Sequence, residues 1–368
     1  MGWGRTLSYW IFIFYYFFGW MGGFFSSLIG NGVAGEIPAA ASTALRGERN
    51  HALDVLKCVA AFMVLLIHCS NHFFSPLSRL GVPIFFLITG FYYPALARNG
   101  RIKGQVIKLL KILLVMLCVV LAYDILAHFL FDDGRLFAEQ PKIAKHGWTL
   151  YILRVLGLGT VPLPTGYHLW YLHAAALGIV CLALIDRFRL RRPAIYLAGV
   201  LLLLLVVANY NQRIGYDLSQ NWILFGLPFL IIGKELSELY SRGYRVAISN
   251  KIISAILAVL ALLLAGEGMM RYLYTGSMNT EMYLFGVPTT ILLFLLALNN
   301  PGVGAGTVWA AIGRKYSLYI YLLHPIFLDF NKMPRDIGYT VFALPVSVGA
   351  VTLMAAVFCR WVGKRFGK

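Results

Sequence analysis

The feature of this sequence that most constrains its fold is a series of long apolar runs. A helix that crosses a membrane needs about 20 mostly apolar residues. Eleven candidate runs follow one another along the chain: 7–29, 52–71, 82–97, 107–131, 167–185, 193–209, 221–240, 251–268, 281–298, 316–330 and 340–361. Soluble proteins carry about 25% charged residues, whereas this chain has only 13% and is 60% hydrophobic. We therefore expect an all-α, polytopic membrane helix bundle of ten core transmembrane helices, plus a possible extra N-terminal hydrophobic helix.

The positive charges fall mainly on one side of these runs. When the loops are assigned alternately to two sides, 22 of the 32 Lys and Arg residues share a side with the C-terminal tail, nine lie opposite, and Arg5 precedes the first run. Because Lys and Arg are enriched in cytoplasmic loops, the C-terminus is predicted to be cytoplasmic. The net charge of +17 then needs no nucleic acid to explain it, and the expected partner of the apolar surface is the lipid bilayer.

The N-terminal part differs from the rest. Residues 1–50 form a hydrophobic extension, followed by a transmembrane domain at 51–362. The run 7–29 either crosses the membrane, acts as a signal-like segment or lies along the interface. The five cysteines are irregularly spaced, which argues against a disulfide framework or a zinc site. His68 and His72 are four residues apart, but no nearby carboxylate or Cys completes a metal site, so no metal is expected.

Three ionisable residues share one stripe of the run 52–71. Asp54 and Lys57 are three residues apart, so they are neighbours on a helix and are expected to pair. His68 follows eleven residues after Lys57, which returns it to the same face about 16 Å farther along the axis. Ionisable side chains inside a span are costly and by default indicate a functional site that faces the bundle interior. The alternative is an interfacial ion pair plus an unrelated histidine at the helix end.

Five motifs, in order, resemble those of the acyltransferase family 3 membrane proteins, which transfer acyl groups, usually acetyl, onto cell-surface glycans. They are LDVLK at 53–57 followed by His68, GVPIFFLITGF at 81–91, YHLWY at 167–171, FGLPFLIIGK at 225–234 and SLYIYLLHP at 317–325. The match runs from about His51 to Trp361. Within the family, the pattern resembles the bacterial O-acetyltransferase subgroup that modifies enterobacterial common antigen. The family usually has Arg where Lys57 stands and Ser where Thr89 stands; Lys lacks the planar fork that suits phosphate.

The resemblance implies a membrane O-acetyltransferase of the bacterial cytoplasmic (inner) membrane. Its donor is expected to be acetyl-CoA, and its acceptor a hydroxyl of a surface glycan or lipid-linked glycan precursor. Because the donor is cytoplasmic and the acceptor mostly outside, we expect Lys57 and His68 to face one shared tunnel. The candidate catalytic residues are His68, Lys57 and Asp54. His68 acts either as a general base or as an acyl carrier, and Asp54 pairs with Lys57 at the inner end.

The remaining candidates each have a structural alternative. The expected CoA-binding cluster is Lys57, Arg98, Arg101, Lys103, Lys108 and Lys111, although positive-inside topology also explains any single member. The channel or acceptor candidates are Thr89, Gly90, His168, Trp170 and His324. Their alternatives are small-residue helix packing for the first two, interfacial anchoring for the next two, and a capping or core role for the last. Asp124 and Glu267 are read either as groups that polarise an acceptor or as helix-end residues.

A transporter or flippase of a lipid-linked glycan is the competing function. Transporters often show two halves with matching broken helices, and this sequence shows no such symmetry. A non-catalytic membrane subunit or sensor is a third possibility, which the polar stripe disfavours.

Overall fold

Helices dominate the described structure. The computed structural model describes residues 49–69, 74–131, 165–210, 220–243, 248–278, 280–329 and 344–366, with isolated positions between 148 and 163. In chain order the helices are α1 His51–Cys69, α2 Ser75–Ser78, α3 Gly81–Arg98, α4 Ile102–Phe131, α5 Trp170–Arg187, α6 Arg191–Tyr210, α7 Leu227–Ser241, α8 Asn250–Thr275, α9 Gly286–Asn299, α10 Val308–Lys315, α11 Ser317–Asp329 and α12 Leu344–Phe366. A 3-10 turn at Tyr167–Leu169 precedes α5, and a π turn at Trp222–Gly226 precedes α7. The predicted all-helical class is confirmed for these residues.

Full-length spans can be counted only among the described residues. Within the described ranges, six segments are long and apolar enough to cross a membrane: His51–His68, Ser75–Arg98, Ile102–Phe129, Tyr167–Arg187, Arg191–Tyr210 and Asn250–Thr275. Shorter apolar helices occupy Gly286–Asn299, Ser317–Leu328 and Val348–Phe358. The protein is thus a multi-pass membrane protein, but ten full spans are not confirmed. The predicted span at 7–29 and most of the loop at 132–166 lie outside the described residues.

Two asparagine side chains bind the backbone where the runs 221–240 and 281–298 begin. The side-chain oxygen of Asn221 accepts two backbone N–H groups of the π turn at 2.8 and 2.9 Å, and this turn leads directly into α7 at Leu227. On α6, the side-chain oxygen of Asn209 accepts the backbone N–H groups of Glu281 and Met282 at 2.9 and 3.3 Å. These two N–H groups are therefore bound outside a helix, and α9 begins only at Gly286.

The helices α1 and α3 form the centre of the bundle. α3 packs against α1, α5, α7 and α9, while α1 also contacts α9, α10, α11 and α12. At the crossing of α3 and α7, a Cβ atom on Gly90 would overlap the Leu230 carbonyl, and one on Gly233 would overlap the Leu87 carbonyl. Small residues let two membrane helices approach closely. Gly90 therefore lets α3 and α7 approach closely, which is the helix-packing alternative given by the sequence, and its role in lining a channel stays a prediction.

Two helices lie at the periphery. Only 22% of the apolar stretch of α4 is buried, and the same share holds for α8, against 67% for the segment Tyr167–Arg187. The exposed positions on both peripheral helices are largely apolar. A helix that is hydrophobic all round is typical of a membrane span, so these two helices present their outer faces to the bilayer.

An ionic network fixes α7 against the turn between α5 and α6. The ammonium of Lys234 is 2.7 Å from Asp186 and 3.3 Å from Glu238, and its side chain is almost fully buried. Arg191 at the start of α6 binds Glu235 at 2.6 Å. A buried charge is tolerated when it is paired, so this network holds three helices together where their ends meet.

Candidate functional site

His68 lies near the C-terminal end of α1 and faces the 3-10 turn that precedes α5. Its Nδ1 is 3.1 Å from the hydroxyl of Tyr167, and the two rings meet edge to face with centroids 5.2 Å apart. Both side chains remain accessible. A hydroxyl at this distance forms a hydrogen bond that orients the imidazole. The hydroxyl oxygen accepts this bond when Nδ1 carries the proton.

Two further imidazoles join His68. The ring of His324 stacks on His68 with centroids 5.3 Å apart and planes 17° apart, and His168 meets His324 edge to face at 5.4 Å. Both added rings are buried. His168 Nε2 donates to the Leu322 carbonyl at 3.0 Å and His324 Nδ1 donates to the Tyr321 carbonyl at 2.8 Å, because a carbonyl oxygen only accepts. The structure thus brings together three histidines from distant parts of the chain.

The turn and α11 hold each other reciprocally. The side chain of His168 binds the backbone of Leu322, while the hydroxyl of Tyr321 donates to the backbone carbonyl of His168. Each element therefore supplies one side chain and one carbonyl to the other. This pair of bonds fixes the positions of Tyr167 and His324 on either side of His68.

Asp124 on α4 anchors the same turn. Its carboxylate accepts the hydroxyl of Thr165 at 2.5 Å and the backbone N–H of Thr165 at 3.4 Å. Both side chains are buried. The carboxylate of Asp124 thus orients the segment that carries Tyr167, and a role in polarising an acceptor stays a prediction.

A cavity opens beside His68. Its lining includes Tyr167, His168, Trp170, Gln220 and a buried ion pair in which Arg79 Nη1 lies 2.7 Å from Glu281 Oε1. Trp170 packs inside the bundle against Phe86 and Phe225, with centroids 5.9 and 5.5 Å apart. It is therefore not an interfacial anchor. The cavity combines an accessible imidazole and a few charged and hydrogen-bonding groups with an otherwise apolar lining, the mixture that is common in binding sites.

Glu267 does not belong to this cavity. Its carboxylate accepts the backbone N–H groups of Leu284 and Phe285 at 2.6 and 2.9 Å, and the hydroxyl of Tyr210 also donates to it. It thereby satisfies two donors just ahead of the N-terminus of α9. Glu267 itself lies within α8 and binds the chain ahead of another helix, so its predicted position at a helix end is not what the structure shows.

At the other end of α1, the predicted pair of Asp54 and Lys57 is present. Lys57 Nζ lies 3.3 Å from Asp54 Oδ1, and Asp54 is buried. Sequence reasoning missed Arg49, whose Nε and Nη2 bind the two carboxylate oxygens of Asp54 at 2.5 and 3.1 Å. The hydrogen bond to Asp54 raises the pKa of Arg49 above its ordinary value. Lys57 also lies over the ring of Tyr92, 5.2 Å from its centroid.

The predicted basic cluster lies at this same end. Its five other members end α3 or begin α4, all are exposed, and none has a carboxylate partner within the described part of the chain: Arg98, Arg101, Lys103, Lys108 and Lys111. Lys57 contacts Tyr92 of α3, and Arg98 follows Tyr92 by six residues on the same helix. The exposed cations and the pair of Asp54 and Lys57 therefore lie at the same end of the bundle. This arrangement creates a positive potential there.

Comparison with known proteins places the chain in a family. Residues 50–361 match the acyltransferase domain that defines acyltransferase family 3. The chain belongs to acyltransferase family 3. In this multi-pass membrane protein, the cavity beside His68 and the basic cluster around Lys57 both lie within the matched residues. No solved structure matches the chain significantly.

Two curated relatives of this family member have other descriptions. It is 24% identical over 321 residues to a protein described as amino-acid racemase from Enterococcus faecalis, covering 76% of this chain and 41% of that protein. It is 25% identical over 316 residues to a protein described as serine/alanine racemase from Enterococcus gallinarum, covering 75% and 40%. The chain therefore spans about two fifths of the length of these relatives.

Between the two ends of this acyltransferase family 3 domain lie three aromatic rings, which we call the aromatic collar: Phe85, Tyr171 and Tyr321. Phe85 lies 6.0 Å from Tyr171 and 6.1 Å from Tyr321, and the two tyrosine rings are 5.3 Å apart. Within the described residues, the cavity at His68 includes Tyr321 but not Lys57. The aromatic collar therefore lies between this cavity and Lys57, and a shared tunnel from Lys57 to His68 stays a prediction.

Thr89 lies next to the aromatic collar. Its hydroxyl donates to the Phe85 carbonyl at 2.8 Å, and the Tyr171 hydroxyl, 3.2 Å away, donates to Thr89 Oγ1. Thr89 is partly accessible. The structure thus places this channel candidate between the two ends of the bundle, whereas its neighbour Gly90 packs against α7.

Proposed function

We propose that this protein is a membrane O-acyltransferase that moves an acetyl group from acetyl-CoA to a hydroxyl of a cell-surface glycan or its lipid-linked precursor. The observation that carries the proposal is the accessible imidazole of His68, oriented by Tyr167 at 3.1 Å in a cavity that polar and apolar side chains line together. Membership of acyltransferase family 3 supports acyl transfer as the reaction class. The enterobacterial common antigen subgroup and the bacterial inner membrane remain predictions from the sequence motifs.

The geometry of His68 suits proton transfer or acyl transfer. When Nδ1 carries the proton and donates to the Tyr167 oxygen, Nε2 has a free lone pair. In the direct route, the acceptor hydroxyl gives its proton to Nε2 while its oxygen attacks the thioester carbonyl carbon. The C–S bond then breaks, and the CoA thiolate takes the proton from the imidazolium.

The carrier route uses the same lone pair as a nucleophile. Nε2 attacks the thioester carbonyl carbon, the C–S bond breaks and CoA leaves as the thiolate. The acceptor hydroxyl then displaces the imidazole from the acyl-imidazolium, and its proton passes to the thiolate. Both routes require a neutral imidazole that substrate can reach, which is why the accessible His68 is preferred to the buried His168 and His324.

The donor is assigned to the other end of the bundle. CoA carries phosphate groups, and exposed Lys and Arg side chains attract phosphate as point charges or as planar forks. Lys57 and the five exposed cations from Arg98 to Lys111 supply these groups, with Asp54 and Arg49 holding Lys57 in place. We place this end in the cytoplasm because the basic loops lie there by the positive-inside rule.

The racemase descriptions of the two relatives are not carried over to this chain. More than half of each relative lies outside the match. The matched segment is the one that belongs to acyltransferase family 3, so the proposal follows the family.

The test is mass spectrometry of surface polysaccharide from cells that express the wild-type protein, the His68→Ala variant or no protein. We expect acetylated polysaccharide only with the wild type, since removal of a general base or nucleophile lowers the rate about 100-fold or more. His51→Ala, a change of the same kind at the first residue of α1, is the matched control and should acetylate normally.

Two outcomes would count against the proposal. Normal acetylation by a correctly inserted His68→Ala variant would remove His68 from the reaction. Polysaccharide that is identical with and without the protein, together with altered transbilayer movement of an unmodified lipid-linked glycan, would instead favour the transporter alternative.

A further inference from the structure

One face of α3 stays partly accessible although α3 lies at the centre of the bundle. Val82, Phe85 and Thr89 are half-buried and Tyr92 is 39% exposed, whereas most other positions of α3 are buried. Their spacing of three, four and three residues places them on a single helical stripe. This stripe is the face of α3 that the described helices leave incompletely covered.

The stripe joins the two ends of the proposed site. Val82 lines the cavity that contains His68, and Tyr92 lies under the ammonium of Lys57. Thr89 and Phe85 lie between them. A group that travels from the basic end to His68 along this face therefore meets the aromatic collar before it reaches the imidazole.

Two of the three rings in the aromatic collar are fixed through their hydroxyl groups. Tyr171 donates to Thr89, and Tyr321 donates to the backbone carbonyl of His168. Both tyrosines are also buried. Phe85 has no polar side-chain atom and is only half-buried, so its ring is the member of the aromatic collar that no hydrogen bond restrains.

We propose that the aromatic collar selects the length of the acyl group, with Phe85 as the member that sets the limit. This inference rests on the proposed acyl transfer. An acetyl group adds one methyl beyond the thioester carbonyl, and each further methylene must fit against rings that pack at the density of a protein interior. Discrimination of one methylene in an apolar site amounts to about tenfold or more.

The test compares acetyl-, propionyl- and butyryl-CoA as donors. Release of CoA is measured in membrane vesicles from native cells, which supply the acceptor, after subtraction of the rate given by His68→Ala. For Phe85→Ala we expect the ratio of kcat/KM for butyryl-CoA to that for acetyl-CoA to rise about tenfold or more over the wild type. Phe85→Leu should give a smaller rise in the same direction.

Phe294→Ala is the matched control. Phe294 of α9 is fully buried and packs against Phe91 of α3 with ring centroids 5.6 Å apart, so it supports α3 through a ring outside the aromatic collar. Its truncation is expected to lower protein stability without changing the donor ratio. A rise of the ratio in Phe294→Ala equal to that in Phe85→Ala would show that loosening of α3, and not the aromatic collar, changes selectivity, and would overturn the inference.

The remaining outcomes are also decisive. An unchanged donor ratio in active Phe85→Ala or Phe85→Leu would overturn the role of the aromatic collar while leaving acyl transfer intact. If both folded variants are inactive with every donor, Phe85 is required for something other than selection, and the inference fails. Absence of CoA release from all three donors by the wild-type protein would instead refute the proposed function itself.

Discussion

The two ends of the proposed site are built from different interactions. At the Lys57 end, ion pairs dominate: Asp54 binds both Lys57 and Arg49. At the His68 end, the histidines are held by neutral hydrogen bonds to a hydroxyl and to backbone carbonyls, and by ring stacking. Ion pairs near a surface are screened by salt, and neutral hydrogen bonds are not. Donor binding at the Lys57 end should therefore depend on charge and salt, whereas acyl transfer at the His68 end should depend on individual neutral hydrogen bonds.

The largest expected effect at the basic end comes from Lys57→Met. It removes a partly buried cation and leaves Asp54 with Arg49 alone. Hydrogen bonds to charged groups contribute about 1.5–3 kcal/mol, so we expect the Kd for acetyl-CoA to rise about tenfold to 100-fold. Lys57→Arg keeps the charge and is the control. Calorimetric titration of the purified protein checks this, and an unchanged Kd in Lys57→Met would exclude Lys57 from donor binding.

Tyr167→Phe tests the neutral end and should have a somewhat smaller effect. It removes the hydroxyl that orients His68 without changing the ring. A neutral hydrogen bond contributes about 0.5–1.5 kcal/mol, so we expect kcat to fall about threefold to tenfold while KM for acetyl-CoA stays unchanged. Tyr196→Phe, at an exposed position of α6, should leave both constants as they are.

A ¹⁵N NMR spectrum of histidine-labelled protein gives a second reading of the same change. The chemical shift of His68 Nδ1 should change in Tyr167→Phe, because the hydrogen bond between this nitrogen and the Tyr167 hydroxyl is lost. A loss of activity with an unchanged shift would show that Tyr167 acts through packing rather than through its hydroxyl.

Lys108→Ala is expected to have a smaller effect, and one that depends on salt. The side chain is exposed, so its attraction for CoA phosphate is screened over about 8 Å at physiological ionic strength. We expect the Kd for acetyl-CoA to rise about twofold to threefold at low salt, and this difference to vanish in about 1 M salt. Lys251→Ala, an exposed Lys at the start of α8, is the matched control. An equal rise of the Kd in the two variants would show that acetyl-CoA binding depends on the net charge of the protein and not on the position of Lys108.

The smallest effect is predicted for Thr89→Val. The substitution keeps the shape of the side chain and removes the acceptor for the Tyr171 hydroxyl. We expect a loss of about 1 kcal/mol of stability and a change in acetyl transfer of no more than about twofold. Thermal unfolding in detergent and the CoA-release assay measure the two quantities. Complete loss of transfer in a folded variant would place Thr89 in the reaction itself.

The local features of this molecule were predictable from the sequence. The pair of Asp54 and Lys57 forms because residues three apart are neighbours on any helix. The positions of most helices follow from the apolar runs, since a membrane span must satisfy its own backbone hydrogen bonds. The family motifs likewise marked His68, His168 and His324 as residues of interest.

The long-range contacts were not predictable in the same way. Tyr167 binds His68 across 99 residues, and Arg79 binds Glu281 across 202 residues, and no hydrophobic period encodes such partners. The late start of α9 depends on Asn209, which lies on another helix. The sequence left two roles open for Gly90, because the choice between them depends on the backbone of α7 that Gly90 faces.

The most direct test of the central claim measures acetyl-CoA binding and acetyl transfer on the same preparations of His68→Ala and Lys57→Met. We predict that His68→Ala binds acetyl-CoA with the wild-type Kd and transfers nothing, whereas Lys57→Met binds weakly and reaches a near-normal kcat at saturating donor. Loss of acetyl-CoA binding in His68→Ala would contradict the division between an end that binds the donor and an end that transfers the acetyl group. An equal fall, in both variants, of the kcat measured at saturating acetyl-CoA would contradict it as well.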